Sequence, residues 1–310
     1  MTIIPILMKT LRISFVLVLL LVAGIVWAAR SSSASSTGGQ LQVVAAENFW
    51  GSIASQLGGD RVRVTSVIAS PATDPHDYEP TAGDARTMAG AQLAIVNGIG
   101  YDPWAGKLLS ASPSKSRIVL TIGDLVGIKT GGNPHRWYSP PNVQQVISAL
   151  VADYEKLDPA HAGYFERQKA AFESKGLRAY KAEIALIRRK YAGVPVGASE
   201  SIFTPLAEAL GLRLLTPASF LKAISEGSEP TAADKTAIER QLTGRKLKVW
   251  VFNSQNATPD VQRFTDQARK SGIAVTTITE TLVPATARFQ DWQVAQLKAL
   301  AAALARATHR

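Results

Sequence analysis

The sequence predicts an α/β protein with two lobes, each with a mainly parallel β-sheet flanked by helices, joined by one long rigid α-helix. Three observations predict this fold. Short apolar strands alternate with helices, the alternation stops and later restarts, and an uninterrupted helical pattern fills the gap. Strands that alternate with helices are typical of parallel sheets. The length of 310 residues also exceeds what one hydrophobic core usually supports, which favours two lobes.

Residues 1–40 are predicted to be a targeting segment and linker rather than part of a lobe. Lys9 and Arg12 precede an uncharged apolar run, 13–29, and a tract rich in Ser and Gly follows it. This order is typical of a secretory signal peptide, with cleavage expected after Ala28. The run is slightly short for a spanning helix, which needs about 20 residues, but an uncleaved N-terminal anchor stays an alternative. Both interpretations predict export, to the periplasm or the extracellular face of the cytoplasmic membrane.

The composition excludes several classes of protein. The chain has no cysteine, so neither disulfides nor the acylated cysteine of bacterial lipoproteins is expected. The net charge of +10 comes from scattered Lys and Arg without interleaved aromatic residues, whereas nucleic-acid-binding proteins cluster their basic residues. We therefore expect no nucleic-acid partner. A solvated basic surface is favoured, with attraction to an anionic envelope as the alternative, and we expect a monomer.

The N-terminal lobe is predicted over residues 41–159. Apolar runs rich in β-branched residues predict its strands, and amphipathic segments predict its helices. Thr81 and Asp84 are spaced as an N-cap and the third residue of a helix, which indicates where that helix begins. In chain order, the predicted elements are strand 41–46, helix 49–57, strand 62–68, helix 84–89, strand 93–97, strand 118–121 and helix 142–154.

A helical pattern without proline is predicted to connect the lobes over residues 160–192. It predicts one long or once-broken helix of up to roughly 45 Å, long enough to act as a rigid strut. The alternation restarts in the C-terminal lobe, 193–310. Its predicted elements are strand 194–198, helix 204–210, strand 212–215, a helix capped by Thr231 and Asp234, strand 247–252, helix 259–271, strand 273–278 and helix 290–306.

Two short phrases each place a histidine directly after a proline. They are Asp74-Pro75-His76 and Asn133-Pro134-His135, both in loops that follow strands of the first lobe. In the second lobe, Glu200 and Glu280 follow predicted strands. Ligands bind beyond the carboxyl ends of strands in open α/β sheets. Because imidazole is the commonest metal-binding side chain, two histidines and two carboxylates predict a site for one divalent cation.

These phrases together resemble the metal-binding (cluster A-I, zinc/manganese) substrate-binding proteins of ABC transporters. The similarity covers residues 41 to 305. The matching phrases are Asp74-Pro75-His76-Asp77-Tyr78-Glu79-Pro80, Asn133-Pro134-His135-Arg136-Trp137, Gly197-Ala198-Ser199-Glu200, Glu229-Pro230-Thr231 and Thr279-Glu280-Thr281-Leu282. The resemblance implies a metal site in the cleft between two lobes, with the ligands His76, His135, Glu200 and Glu280. It also implies a non-enzymatic function, in which the protein captures the metal and delivers it to an ABC permease.

The ligand set favours manganese narrowly over zinc, with Fe²⁺ as a further alternative. The zinc-selective branch of the family often has a histidine in place of Glu200, and its fourth ligand is often aspartate, where this chain has Glu280. Carboxylate oxygens suit harder ions such as Mn²⁺, and two chelating carboxylates with two imidazoles would offer up to six donors. Zinc stays open because affinity for nitrogen and oxygen donors rises from manganese to zinc.

The sequence lacks two motifs that would indicate an enzyme. The phrase from Gly197 to Ser201 lacks the final glycine of a nucleophile elbow, and the chain has no His-Glu-x-x-His motif. A hydrolase that uses the same metal site and a metal-stabilised surface adhesion protein stay as alternatives. The candidates for orienting the histidines are Asp77, Glu79 and Asn133, and those for walling the cleft are Tyr101, Trp104 and Trp137.

Overall fold

The computed structural model describes residues 39–73 and 78–309. In this part of the chain, the strands form two four-stranded sheets in which every pairing is parallel. The first sheet holds β1 (Leu41–Glu47), β2 (Val62–Ile68), β3 (Leu93–Val96) and β4 (Ile118–Thr121). The second sheet holds β5 (Pro195–Ala198), β6 (Arg213–Leu214), β7 (Val249–Asn253) and β8 (Ala274–Ile278). Their orders are β2-β1-β3-β4 and β6-β5-β7-β8. The predicted α/β class with two parallel sheets is confirmed.

Helices follow most strands. The α-helices are α1 (Asn48–Gly58), α2 (Ala82–Ala89), α3 (Pro103–Ala111), α4 (Ile122–Val126), α5 (Pro140–Leu157), α6 (Ala162–Ala171), α7 (Arg178–Tyr191), α8 (Thr204–Leu210), α9 (Ala218–Ser225), α10 (Ala232–Thr243), α11 (Pro259–Lys270) and α12 (Phe289–Thr308). The predicted cap of α2 is confirmed, because Thr81 Oγ1 accepts from Asp84 N and Asp84 Oδ2 accepts from Thr81 N. The sequence did not predict α3, α4 or α9.

The segment between the two sheets is helical but interrupted. A π-helical turn, Phe172–Gly176, lies between α6 and α7. Phe172 and Leu177 are buried on either side of the interruption, and Leu177 N donates to the Phe172 carbonyl at 2.8 Å. Of the two forms that the sequence left open, the structure therefore has the broken helix. Its rigidity and the limits of the predicted lobes stay predictions.

The hydrophobic core is continuous across the two sheets. One cluster of buried residues extends from Val43 in β1 to Val249 in β7 and Leu300 in α12. A smaller cluster around Trp104 packs on the opposite face of the first sheet, because successive strand side chains point to opposite faces. We expected two separate cores from the length of the chain. Instead, α12 packs against α1 and the two sheets share one large core.

The strand order places the ends of three adjacent strands of the second sheet side by side. The central strand of the three is β7, which pairs with β5 on one side and β8 on the other. Glu200 lies two residues beyond the end of β5, and Glu280 lies two residues beyond β8. Within the described residues, no helix is long and apolar enough to cross a membrane. The run 13–29 and its interpretation as signal or anchor lie outside that part.

Candidate metal centre

Three of the four predicted ligands converge in one buried cluster. His135, Glu200 and Glu280 each offer a donor atom, and these atoms lie within 4.8 Å of one another. The Nε2 atom of His135 is 3.5 Å from Glu200 Oε1 and 3.5 Å from Glu280 Oε2. His135 is 0% exposed, Glu200 1% and Glu280 5%. The first lobe thus supplies an imidazole and the second lobe two carboxyl groups, in a geometry that could hold a metal ion.

Asn133 fixes the orientation of the His135 ring. Its Oδ1 accepts from the backbone N–H of His135 at 3.0 Å and lies 2.9 Å from His135 Nδ1. Its Nδ2 donates to the Ser201 carbonyl at 2.8 Å, which identifies the other atom of the amide as the acceptor. Nδ1 therefore carries the ring proton, and the lone pair of Nε2 faces the carboxyl groups. Asn133, one of the predicted orienting residues, makes this contact.

Two buried polar atoms at the centre of the cluster have no hydrogen-bond partner among the described residues. They are His135 Nε2 and Glu200 Oε1, which face each other. Buried polar atoms in native proteins are almost always paired, because an unpaired one costs about 1–3 kcal/mol. A cation between these two atoms would satisfy both. The donor set, one neutral nitrogen and two carboxyl oxygens, suits a divalent transition metal.

Burial shifts the pKa values of the cluster. Burial lowers the pKa of His135 to about 4, with Glu200 opposing and Arg136 adding to the shift. Burial and the neighbouring Glu280 raise the pKa of Glu200 to about 8. Near neutral pH the imidazole is therefore neutral and ready to bind a metal, while Glu200 holds a proton that a metal must displace. Protons therefore compete with a metal for His135 only at a pH well below the ordinary imidazole range.

Aromatic side chains enclose the cluster on the side of the first lobe. The Trp137 ring lies 5.2 Å from the His135 ring, and the Tyr101 ring lies 6.0 Å from it. Tyr101 OH donates to Glu280 Oε2 at 3.0 Å. Both residues were candidates for walling the cleft, with core packing as the alternative, and both are buried beside His135 as part of the large core cluster. Trp104, the third candidate, packs on the Tyr78 ring in the smaller core cluster.

Asn253 is a site residue that the sequence did not predict. It is the last residue of β7, and its Nδ2 donates to Glu200 Oε2 at 2.6 Å and to Glu280 Oε1 at 2.7 Å. The signal was available, since polar residues at strand ends had already identified Glu200 and Glu280. An uncharged amide is a weaker indicator of a metal site than a carboxylate. Asn253 nevertheless lies between the two carboxyl groups and bonds to both.

His76, the fourth predicted ligand, lies outside the described residues, as does Asp77. Glu79, the remaining candidate for orienting a histidine, is exposed. The described chain before His76 ends at residue 73. Within it, Pro71 bonds to a side chain beside the site. Its carbonyl accepts from Gln255 Nε2 at 2.6 Å, and the same nitrogen contacts Thr281, next to Glu280.

Comparison with known proteins identifies the family. The model of the family described as ZnuA, zinc-uptake complex component A periplasmic, matches residues 43–303. The chain belongs to the ZnuA family. This confirms the sequence resemblance to the metal-binding substrate-binding proteins of ABC transporters.

Individual relatives share only a minority of their residues with this chain. The iron-binding protein YfeA of Yersinia pestis is 30% identical over 190 residues, 58% of this chain and 60% of YfeA, less than two thirds of its length. The metal ABC transporter substrate-binding lipoprotein ScbA of Streptococcus cristatus is 28% identical over 265 residues, 78% of this chain and 83% of ScbA. A periplasmic metal-binding protein from Candidatus Liberibacter asiaticus superposes with a TM-score of 0.69 at 19% identity, covering 86% of this chain and all of that one. At that identity the match shows the fold alone.

Proposed function

We propose that this protein captures one divalent transition-metal ion between its two sheets and delivers it to an ABC permease. The convergence of His135, Glu200 and Glu280 in a buried cluster carries the proposal. The unpaired His135 Nε2 and Glu200 Oε1 support it, because a cation between them would satisfy both atoms. The names of the family and of ScbA, which refer to uptake and to an ABC transporter, support the delivery step.

Charge compensation explains why a dication is the cargo. Burying an isolated carboxylate is costly, whereas a dication and two carboxylates together carry no net charge. The neutral imidazole of His135 adds a donor without adding charge, because burial holds its pKa near 4. Binding displaces the proton that Glu200 holds in the empty site, so the buried cluster exchanges a proton for the metal.

We propose His76 as the fourth ligand. Its loop leaves the described chain after residue 73, where Pro71 is bonded to Gln255 beside the cluster. The resemblance of Asp74-Pro75-His76 to the family's phrase and the contact of Gln255 with Thr281, next to Glu280, support this assignment. With His76, the site has two imidazoles from the first lobe and two carboxylates from the second.

The protein is proposed to act outside the cytoplasm and without a wide hinge motion. The basic and apolar pattern of the first thirty residues supports export. The continuous core and the hydrogen bonds between the first and last described helices, such as Gln56 to Gln290, support a small lobe movement. Metal release is then a local opening of the ligand loops rather than a separation of the lobes.

Metal titration of the full chain tests the proposal. Chelator-treated protein is titrated with Mn²⁺, Zn²⁺ and Fe²⁺, and bound metal is counted by elemental analysis. We expect one ion per chain, with binding weakened by His135→Ala and Glu200→Ala but not by their matched controls. The controls are His161→Ala and Glu208→Ala, which replace a histidine and a glutamate outside the cluster.

Two results would contradict the proposal. Absence of stoichiometric binding, or equal weakening by a site variant and its control, would show that the cluster does not hold the cargo. Unfolding of the protein when its metal is removed would instead favour a structural metal, because a transport receptor has to stay folded when it is empty. Turnover of esters or phosphoesters by the metal-loaded protein would favour the hydrolase alternative.

A further inference from the structure

The segment between β3 and α3 contains a turn, residues 98–100, whose backbone is unusual. Gly98, Ile99 and Gly100 all have positive φ angles, of 69°, 62° and 88°. Glycine adopts such angles readily, but for the β-branched Ile99 the angle is a steric outlier. A strained residue of this kind persists only where the surrounding structure holds it, and such residues cluster at functional sites. The turn leads directly into Tyr101, whose hydroxyl donates to Glu280 at the metal centre.

Asp102 holds this turn from the side of α3. Its Oδ2 accepts from the Asn97 backbone N–H and its Oδ1 from the Gly98 backbone N–H, both at 2.7 Å. The residue occupies the N-cap position of α3, where an aspartate usually accepts from N–H groups of its own helix, but it makes no such bond. Asp102 is buried, which strengthens both bonds to the turn. Its carboxylate therefore supports the turn rather than the helix.

Two hydrogen bonds connect the ends of the turn to the candidate ligands. After the turn, Tyr101 OH donates to Glu280 Oε2 at 3.0 Å. Before the turn, Asn97 Nδ2 donates at 3.0 Å to the carbonyl of Pro134, which directly precedes His135. The turn therefore contacts a ligand of the second lobe through Tyr101 and the loop of a first-lobe ligand through Asn97.

The Ile99 side chain packs against the same loop. A Cβ atom at Gly123 would lie 2.7 Å from Ile99 Cγ1, and one at Gly132 would lie 3.8 Å from Ile99 Cγ2. Gly132 directly precedes Asn133, whose Oδ1 orients the His135 ring. Ile99 is 8% exposed, so its packing against the loop offsets its unfavourable backbone.

We propose that Asp102 is a positioning residue of the metal centre, which acts through the turn 98–100 and Tyr101. By fixing the turn, it places the Tyr101 hydroxyl against Glu280 and thereby sets where that carboxyl group lies relative to His135. This inference rests on the proposed function. Among the described residues, Asp102 bonds to none of the candidate ligands, so its effect on metal binding has to pass through the turn.

A double-mutant cycle tests this connection. Asp102→Asn leaves one side-chain acceptor for two N–H groups, Tyr101→Phe removes only the hydroxyl, and a third variant combines both. Competition against a chromophoric chelator gives the dissociation constants of Zn²⁺ and Mn²⁺ for the chelator-treated full chain. We expect each single variant to weaken binding about tenfold, and the double variant by much less than the roughly hundredfold that independent effects would give. Asp124→Asn is the control, because Asp124 is an exposed aspartate in the first turn of α4, and it should leave both constants unchanged.

The variant Gly100→Ala perturbs the turn without removing a side-chain bond. An added Cβ atom has room, since its nearest neighbour would be Thr130 Cγ2 at 3.4 Å, but alanine is strained at a φ of 88°. Gly272→Ala is the matched control. Gly272 has a φ of 73° and open space for a Cβ atom, and it precedes β8, at the edge of the sheet opposite the ligands. Both variants should lower the urea midpoint of the metal-free chain, but only Gly100→Ala should weaken metal binding.

The possible outcomes separate this inference from the proposed function. If wild-type protein binds no divalent metal, the proposed function fails. If it binds metal, and Asp102→Asn and Gly100→Ala lower stability without changing the dissociation constants, Asp102 only supports the fold and the inference fails. Effects of Asp102→Asn and Tyr101→Phe that multiply would also overturn it, because Asp102 would then act independently of Tyr101. The inference holds if the double variant falls short of that product and Gly100→Ala weakens binding while Gly272→Ala does not. If Asp102→Asn does not fold, the two glycine variants decide the result.

Discussion

Replacing Asn133 tests whether the orientation of His135 controls metal binding. Asn133 accepts from the backbone N–H and the ring Nδ1 of His135, and it donates to the Ser201 carbonyl of the other lobe. In Asn133→Ala, all three bonds are lost. Each polar group left buried without a partner costs about 1–3 kcal/mol, and Ser201 Oγ, 3.4 Å from Nδ1, can replace one of them.

The expected magnitudes follow from that count. We expect Asn133→Ala to lower the free energy of unfolding by about 2–6 kcal/mol, measured by urea denaturation of the metal-free chain. Loss of the group that fixes the ring should also weaken metal binding about 10- to 100-fold. Asn133→Asp keeps the acceptor for Nδ1 and loses only the donor to Ser201. It should therefore be destabilised but bind metal within about threefold of wild type, since a carboxylate also orients and polarises a metal-binding histidine.

The assay is competition against a chromophoric chelator on the chelator-treated full chain. Asn256→Ala is the matched control, because Asn256 donates to the Ile224 carbonyl and not to a candidate ligand. The difference in affinity between the two Asn133 variants, rather than either value alone, distinguishes ring orientation from the link to Ser201. Equal loss of affinity in Asn133→Ala and Asn133→Asp would show that the link to Ser201, not the orientation of the His135 ring, supports binding. Unchanged affinity in Asn133→Ala would refute the role of Asn133 altogether.

Three further predictions concern the stability of the fold, each measured by urea denaturation. Tyr138→Phe removes the O–H that donates to the Thr279 carbonyl at 2.8 Å across the two lobes and should cost about 1–3 kcal/mol; a neutral result would mean that water replaces this bond. Thr81→Ala removes the cap of α2 and should cost about 1 kcal/mol, whereas no loss would show that the capping box contributes nothing. Burial, with the nearby Asp102 adding to it, raises the pKa of Glu47 well above its ordinary 4.5, so the folded state keeps a proton that the unfolded chain releases. Wild-type stability should therefore fall as pH rises above about 4.5, and Glu47→Gln should make this fall smaller without abolishing it, because the raised pKa of Glu200 contributes to the same fall; parallel stability curves for the two proteins would contradict the argument.

The sequence was sufficient for the strands of both sheets and for placing Glu200 and Glu280 just beyond strand ends. Strand ends locate Glu200 and Glu280 because parallel strands of one sheet bring their carboxyl ends to the same edge. The contact between Asn133 and His135 was predictable because the two residues are two positions apart. The structure also bears out helix signals that act locally, such as the bond from Thr81 to Asp84.

Other features depend on packing and could not be predicted. The bond from Tyr101 to Glu280 joins residues 179 positions apart, and no local pattern identifies such a pair. The helix α4 has five residues, too few to show a helical period, and β6 has only two where the sequence suggested four. The shared core arises because α12 returns to pack on α1, a contact set by the topology of the whole chain.

A receptor that releases its cargo needs an empty state that is nearly as stable as the loaded one. The buried carboxyl groups make this difficult, because two ionised carboxylates without a cation would place like charges side by side away from solvent. Two hydrogen-bond donors and one proton stabilise the carboxyl groups of the empty site. Asn253 donates to both carboxyl groups, Tyr101 donates to Glu280, and the raised pKa of Glu200 lets a proton take the place of the metal near neutral pH. Asn253 can stay in place when the metal binds, since it bonds to neither of the oxygens that face His135, whereas Tyr101 shares Glu280 Oε2 with the metal. Under the proposed function, loading the site would require one proton exchange and little rearrangement, which agrees with a core that joins both lobes.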